Sequence, residues 1–305
     1  MTQRVLVLGG TGMLGAMMVR VLKKEGMEVG ATTRANAEEG SGWHHFSPLY
    51  IYESSSRELL RSYDWLINCI GITKPDIDEV DSVSIKRAVE INSLFPYQLA
   101  DCLTPHQRVI QIATDCVFSG RGERSYEETP HDALDVYGKT KSLGEVNLPN
   151  IMHLRTSIIG PEFREQKKFL LEWFLGQPQV ATVQGFANHG WNGITTLQFA
   201  KVCAGIIRKP GLSRAGVQHL VPASGATKAS LLGKIGVAFG RQDIVIESVY
   251  NGDEFVNRYL ETNDPSFNRH LWQGAGYEHP PDLETMLTEL AAWQQPGSPV
   301  LPGSR

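Results

Sequence analysis

No apolar run of about 18 residues occurs anywhere in this 305-residue sequence, so a membrane-spanning helix is not expected. Cysteine is scarce as well. Cys69, Cys102, Cys116 and Cys203 are scattered without C-x-x-C spacing, so neither a disulfide framework nor a zinc site is suggested, which fits a reducing cytosol. The doublet His44-His45 lacks metal-ligand spacing, so no metal is expected. Strong charge of either sign is missing: the net charge is -4 and the isoelectric point is about 6.2. That leaves no global attraction to nucleic acid or to an anionic membrane, although local basic groups remain available to a small anion. No internal repeat is visible. The opening MTQRVLVLGG has no cleavable leader layout, and a cytoplasmic protein is expected. With 41% hydrophobic and 20% charged residues the chain has the composition of a soluble globular protein.

Short β-branched runs alternate with helical patterns through the first half, at residues 4–8, 13–25, 28–33, 64–69, 83–103 and 108–113. A further helix around Tyr137 leads to an apolar strand at 151–155. Such alternation predicts an α/β fold, a Rossmann-type doubly wound parallel sheet covered on both faces, with ligands at the carboxyl ends of the strands. Beyond Ile159 the alternation loosens, with helices expected at 165–175, 195–208 and 228–239. The expected division is a dinucleotide-binding domain over 1–160, a smaller C-terminal substrate lobe over 161–294 and a frayed tail over 295–305. Segments near 194–222 are expected to return to the sheet.

The first strand runs straight into Gly9-Gly10-Thr11-Gly12-Met13-Leu14-Gly15 and then into a helix. Both G-x-G-x-x-G and G-x-x-G-x-x-G are satisfied, which provides a tight turn, close approach to a pyrophosphate and close helix packing. Gly9, Thr11, Gly12, Met13, Leu14 and Gly15 are therefore candidate cofactor ligands. The second strand ends without an acid to hold a ribose 2′-hydroxyl. Thr32, Thr33 and Arg34 stand there instead, and an arginine pairs with a 2′-phosphate, so NADP(H) is expected over NAD(H).

Tyr137 and Lys141 lie four apart on one helix face, where an ammonium is expected to lower the phenol pKa towards working pH. Thr114 and Asp115 follow the end of a central strand, 23 residues before the tyrosine. With Asn68-Cys69-Ile70-Gly71, Asn92, Leu143-Gly144-Glu145 and Arg155-Thr156-Ser157 in order, the chain resembles the extended short-chain dehydrogenase/reductases, and most closely the dTDP-4-dehydrorhamnose reductase family. The resemblance covers at least residues 1–160. It implies a ketone reduced by hydride from the nicotinamide, with Tyr137 as the acid, Lys141 tuning it and holding the nicotinamide ribose, and Thr114 bonding the carbonyl oxygen. Asn92 would support the lysine. Cys69, Ile70 and Gly71 would line the adenosine side.

The resemblance makes the expected activity reduction of the 4-keto group of a nucleotide-linked deoxysugar, in deoxysugar and polysaccharide biosynthesis. A nucleotide-diphosphate sugar is the partner, and a homodimer is an expected assembly. Substrate-side candidates are Asp115, Cys116, Arg155, His189, Trp191 and Asn192, with Arg258 and Arg269 as further cations for a diphosphate. Trp191 in the loop Asn188-His-Gly-Trp-Asn-Gly193 is expected to offer a stacking platform. Lys167 and Lys168 are expected to face solvent. Cys116 stands where the family usually carries an aromatic residue, and in epimerase-reductases such as GDP-fucose synthase a cysteine at this place takes part in proton abstraction next to the keto group. An epimerase or epimerase-reductase using Cys116 is thus an alternative, as are a nonenzymatic NADP-binding regulatory subunit like that of methionine adenosyltransferase and a reductase of a small non-sugar ketone.

Overall fold

Buried strands with apolar residues on both faces need helices above and below, and the chain supplies them. A computed structural model describes residues 3–38, 40–163 and 167–293. The first part runs β1 (Arg4–Leu8), α1 (Met13–Lys24), β2 (Glu28–Thr33), β3 (Trp43–His45), α2 (Ser54–Arg61), β4 (Trp65–Asn68), α3 (Ser82–Ala88), α4 (Phe95–Cys102), β5 (Arg108–Ala113), α5 (Val136–Leu143) and β6 (Ile151–Arg155). The second runs β7 (Ile158–Ile159), α6 (Leu170–Leu175), β8 (Thr182–Phe186), β9 (His189–Trp191), β10 (Ile194–Thr195), α7 (Thr196–Arg208), β11 (Gly216–His219), β12 (Ala226–Thr227), α8 (Lys228–Ala238), β13 (Val245–Val249), β14 (Val256–Arg258), α9 (Pro265–Gly274) and α10 (Leu283–Trp293). The tail expected at 295–305 lies outside the described residues, as do residues 165 and 166 of the helix expected at 165–175.

Seven parallel strands form the central sheet in the order β11-β6-β5-β4-β1-β2-β3. The α/β doubly wound fold read from the sequence is the one observed. Period-2 alternation in β1 sends Val5 and Val7 into the core shared with α1 and α7, and Leu6 and Leu8 into the core shared with α2 and α4. The strand order reverses between β1 and β4, which opens a crevice at their carboxyl ends. β11 joins the sheet beside β6, and α7 packs on α1, so segments from the second half complete the sheet and its cover. The remaining strands build small sheets, β12-β9-β14 and β13-β8 among them. Among the described residues no helix is long and apolar enough to cross a membrane.

The helix expected as one piece at 83–103 is three: α3, a π-helical turn at Val89–Leu94, and α4. Pro96 lacks the N–H of a helix interior, so the ladder restarts around it. The π turn carries Asn92, and such turns recur at functional sites.

Candidate active site

The turn after β1 depends on glycine at two points. Gly9 has a φ of 80°, the left-handed region that glycine enters without strain. At Gly15 a Cβ would stand 2.1 Å from the Gly9 carbonyl oxygen, so only glycine lets α1 press against the turn. Gly9 N–H donates to Thr32 Oγ1 at 2.9 Å, which ties the turn to the end of β2. Gly12 is the N-cap of α1 and supplies no side-chain cap, so the first-turn N–H groups of the helix beside the crevice have no capping side chain. A cavity of about 640 Å³ lies there, lined by residues 9, 11 and 12, by Thr32, Thr33 and Arg34, by residues 69–72 and by one side of α3.

β5, α5 and the turn between them gather the reactive groups. Asp135 caps α5 by accepting from Gly138 N–H at 2.7 Å and is itself held by Lys74 at 2.7 Å. Gly138 lets the helix touch the turn, since a Cβ there would stand 2.2 Å from the Cys116 carbonyl oxygen. Thr114 is buried after β5, and its hydroxyl hydrogen bonds to Tyr137. Lys141 is buried and donates from Nζ to the Ile112 carbonyl at 3.0 Å. The structure thus brings Thr114, Tyr137 and Lys141 together at the carboxyl end of β5.

The electrostatics differ from the sequence expectation. Burial pushes the Tyr137 hydroxyl above its ordinary value, with Cys116, Asp115 and Asp135 pushing the same way and only the Thr114 hydrogen bond opposing them. Lys141 is not the dominant influence here, because its amine points at the strand end. Tyr137 is therefore a phenol that keeps its proton. Burial also pulls Lys141 from 10.5 to about 8, against Glu145 and Cys69. Below about pH 8 Lys141 is charged whether the chain is folded or not; between about 8 and 10.5 only the unfolded chain holds the proton, so raising the pH stabilises the fold. Thermal melts of wild type and Lys141→Met are expected to show the wild type gaining on the variant across that window. A constant difference would contradict it.

Asn92 holds the site from behind. Its Nδ2 donates to the Ile72 carbonyl at 2.9 Å and to Thr140 Oγ1 at 3.2 Å, while Oδ1 accepts from Ile72 N–H at 2.8 Å. It acts on the residue before Lys141 and on the loop at the cavity floor, not on the lysine amine. Cys69, Ile70 and Gly71 line the cavity.

The substrate-side candidates separate. Asp115 is buried and accepts from the Thr114 hydroxyl at 3.3 Å, and Cys116 lies beside it. Arg155 is not available to a diphosphate: it is 1% exposed and gripped by Glu145, with Nη2–Oε2 at 2.6 Å and Nε–Oε1 at 3.2 Å, and by His131 and His219. Trp191 is a packed residue and no stacking platform, since it is 3% exposed with its Nε1 donating to Ser157 Oγ at 2.8 Å. Both ends of the Asn192 amide are spent on the Leu260 backbone at 2.8 Å. His189 is half-buried, and its Nε2 is buried without a hydrogen-bond partner. Lys167 and Lys168 precede α6 and pair with Glu172 and Asp76. Arg269 lies exposed on α9.

Residues 3–228 match the RmlD substrate binding domain. The chain belongs to that family. The resemblance to the extended short-chain dehydrogenase/reductases is thereby borne out. This RmlD-family chain is 32% identical over 150 residues to the spore coat polysaccharide biosynthesis protein SpsK of Bacillus subtilis, covering 47% of each. It is 31% identical over 144 residues to dTDP-4-dehydrorhamnose reductase of Streptomyces griseus, covering 47% of this chain and 43% of that protein. The matched stretch spans about half the length of these curated relatives. Among solved structures, a dTDP-4-dehydrorhamnose reductase from Clostridium acetobutylicum superposes with a TM-score of 0.72 at 19% identity, covering 96% of this chain and 99% of that one. One from Bacillus anthracis in complex with NADP gives 0.73 at 16%, covering 96% and 100%.

Sequence reasoning missed Lys228 in this RmlD-family chain and gave Arg258 no position. The β9 register pairs Trp191 with Ala226 of β12 and with Arg258 of β14, which puts Arg258, His189 and Trp191 on one face and Lys228 at its edge. Lys228 Nζ lies 5.6 Å from the Trp191 ring centre, and among the described residues it has no hydrogen bond or ion pair. Burial lowers its pKa, opposed by Asp115 and Cys116 nearby. Only long-range strand pairing brings these groups together, so no local signal marks them.

Proposed function

We propose that the protein is an NADP(H)-dependent reductase of the 4-keto group of a nucleotide-linked deoxysugar. The observation that carries this reading is the meeting of Thr114, a protonated Tyr137 and Lys141 beside a crevice built for a dinucleotide. The crevice fits that cofactor on its own geometry: a left-handed Gly9, an α1 N-terminus with no side-chain cap, and a cavity of about 640 Å³ ending at Arg34. Residues 9–15 would hold the pyrophosphate, residues 69–71 the adenosine side, and Arg34 a 2′-phosphate. When bound, the cofactor supplies the hydride.

The protein's own part is positioning and proton delivery. Thr114 and Tyr137 would bond the ketone oxygen, and Tyr137 would give its proton to that oxygen as it becomes an alkoxide. Lys141, charged at neutral pH and one helical turn from Tyr137, would favour the phenolate left behind. The names of the relatives support a nucleotide-sugar substrate. This reading keeps residues 1–160, with the segments near 194–222 that return to their sheet, as the cofactor half, 161–294 otherwise as the substrate half, and a cytoplasmic location.

The epimerase alternative gains nothing from the geometry. Burial, with Asp115, pushes the Cys116 thiol up to about 12, so it offers no thiolate as a base. The complete set of Thr114, Tyr137 and Lys141 sides with an enzyme against a regulatory subunit. The test is a panel of dTDP-, UDP- and GDP-linked 4-keto sugars with NADPH, followed by loss of nicotinamide absorbance. No turnover with any of them would sink the proposal. Lys228→Met is expected to raise KM for the accepted sugar about tenfold, the cost of one hydrogen bond to a charged group, with little change in kcat. An unchanged KM would remove Lys228 from the substrate site.

A further inference from the structure

We infer that Lys86 and Arg87 on the last turn of α3 form, with Arg34 across the cavity, a cationic clamp for the 2′-phosphate of the cofactor. The inference rests on the NADP(H) reading above and adds residues to it. The cavity has two charged walls: Arg34 at the end of β2 on one side, and Lys86, Arg87 and Glu90 along α3 and the π turn on the other. Asp76 also lines it, but that carboxylate is already engaged by Lys168 and by the Thr73 hydroxyl at 2.9 Å. Among the described residues none of the three cations has an ion pair or hydrogen bond, and Lys86 does not close on Glu90 one turn away.

Three positive charges against one unengaged carboxylate leave the adenosine end of the cavity electropositive. Like charges held around one cavity repel, and a dianionic phosphate between the walls would relieve that repulsion. Arginine offers a planar fork that matches phosphate oxygens and lysine a compact charge, so the two walls provide donors from opposite directions. A cofactor with a bare ribose 2′-hydroxyl would leave all three cations without a counter-charge. The clamp therefore acts on cofactor choice: Arg34 alone would be a single contact at a strand end, whereas α3 supplies the second side.

All three side chains are exposed, so their replacement leaves the cores untouched. The experiment is calorimetric titration of the full-length protein with 2′,5′-ADP and with 5′-AMP, in wild type and in the double variant Lys86→Met/Arg87→Met. Wild type is expected to bind 2′,5′-ADP at least about tenfold more tightly than 5′-AMP, and the double variant to lose about tenfold for 2′,5′-ADP with 5′-AMP within about twofold. The charge-conserving Lys86→Arg/Arg87→Lys variant should keep most of the preference, and added salt should erode it. Equal losses for both probes would overturn the clamp, because they would mean that α3 packs on the base instead. Unchanged 2′,5′-ADP binding would overturn it too. Wild type that binds 5′-AMP and shows no gain for 2′,5′-ADP would overturn the clamp while leaving a dinucleotide site standing. Failure of both probes would overturn the cofactor reading and the clamp together.

Discussion

Tyr137→Phe is expected to lower kcat for ketone reduction by about 10²- to 10⁴-fold, the usual contribution of a positioned general acid. The ring stays, so α5 should keep its packing against the 115–117 turn, where Gly138 approaches the Cys116 carbonyl. Only the proton and its hydrogen bond with Thr114 are lost. Steady-state kinetics should show the loss in kcat, with KM moved far less, and calorimetry should show NADPH binding intact. A variant retaining more than about a tenth of wild-type turnover would mean that the proton comes from elsewhere. Because burial holds the Tyr137 hydroxyl above its ordinary range, the rate should not fall with a tyrosine-like ionisation near neutral pH.

Glu145→Ala is expected to destabilise the fold by about 3–5 kcal/mol, since it strands a buried guanidinium. Arg155 sits at 1% exposure in β6, and the Glu145 carboxylate is its bidentate partner, while His219 is held neutral beside it with a pKa lowered to about 4, first by burial and then by Arg155 itself. The two histidines that touch Arg155 cannot replace the lost negative charge. Urea denaturation should show the loss as a lower midpoint at unchanged slope. Replacing both partners, Glu145→Leu with Arg155→Met, should recover much of the stability, because no charge is then left buried without its partner. A single variant within about 1 kcal/mol of wild type would place this pair among exposed ion pairs of little worth.

The legible parts of the molecule were those governed by local rules. The turn at residues 9–15 declared itself because glycine alone serves a left-handed position and a contact at which a Cβ would stand 2.1 Å from backbone oxygen. The parallel sheet followed from short β-branched runs alternating with helical patterns, and the Tyr137–Lys141 spacing put both residues on one helix face. What stayed hidden depends on contacts distant in sequence. Arg155 looked like a cation for a diphosphate because nothing in its strand shows that Glu145 reaches it. Trp191 looked like a platform because the Ser157 hydroxyl that accepts from its indole N–H lies 34 residues earlier in the chain. The direction of the Tyr137 shift was misread for the same reason: a four-residue spacing gives the lysine's side of the helix, but not that its amine bonds the Ile112 carbonyl while burial dominates the phenol. Lys228 and Arg258 meet His189 only through the pairings of β9 with β12 and β14.

The central claim is that this site reduces a sugar ketone with protons from Tyr137 and no chemistry at Cys116. Its most direct measurement is product analysis by mass spectrometry and NMR after turnover of a nucleotide-linked 4-keto sugar with NADPH deuterated at the transferred position. The account predicts one deuterium at the sugar C4, and none beside it when the reaction is run instead in heavy water with unlabelled NADPH. Deuterium entering from solvent at the carbon next to the ketone, or none arriving at C4 from the cofactor, would contradict it.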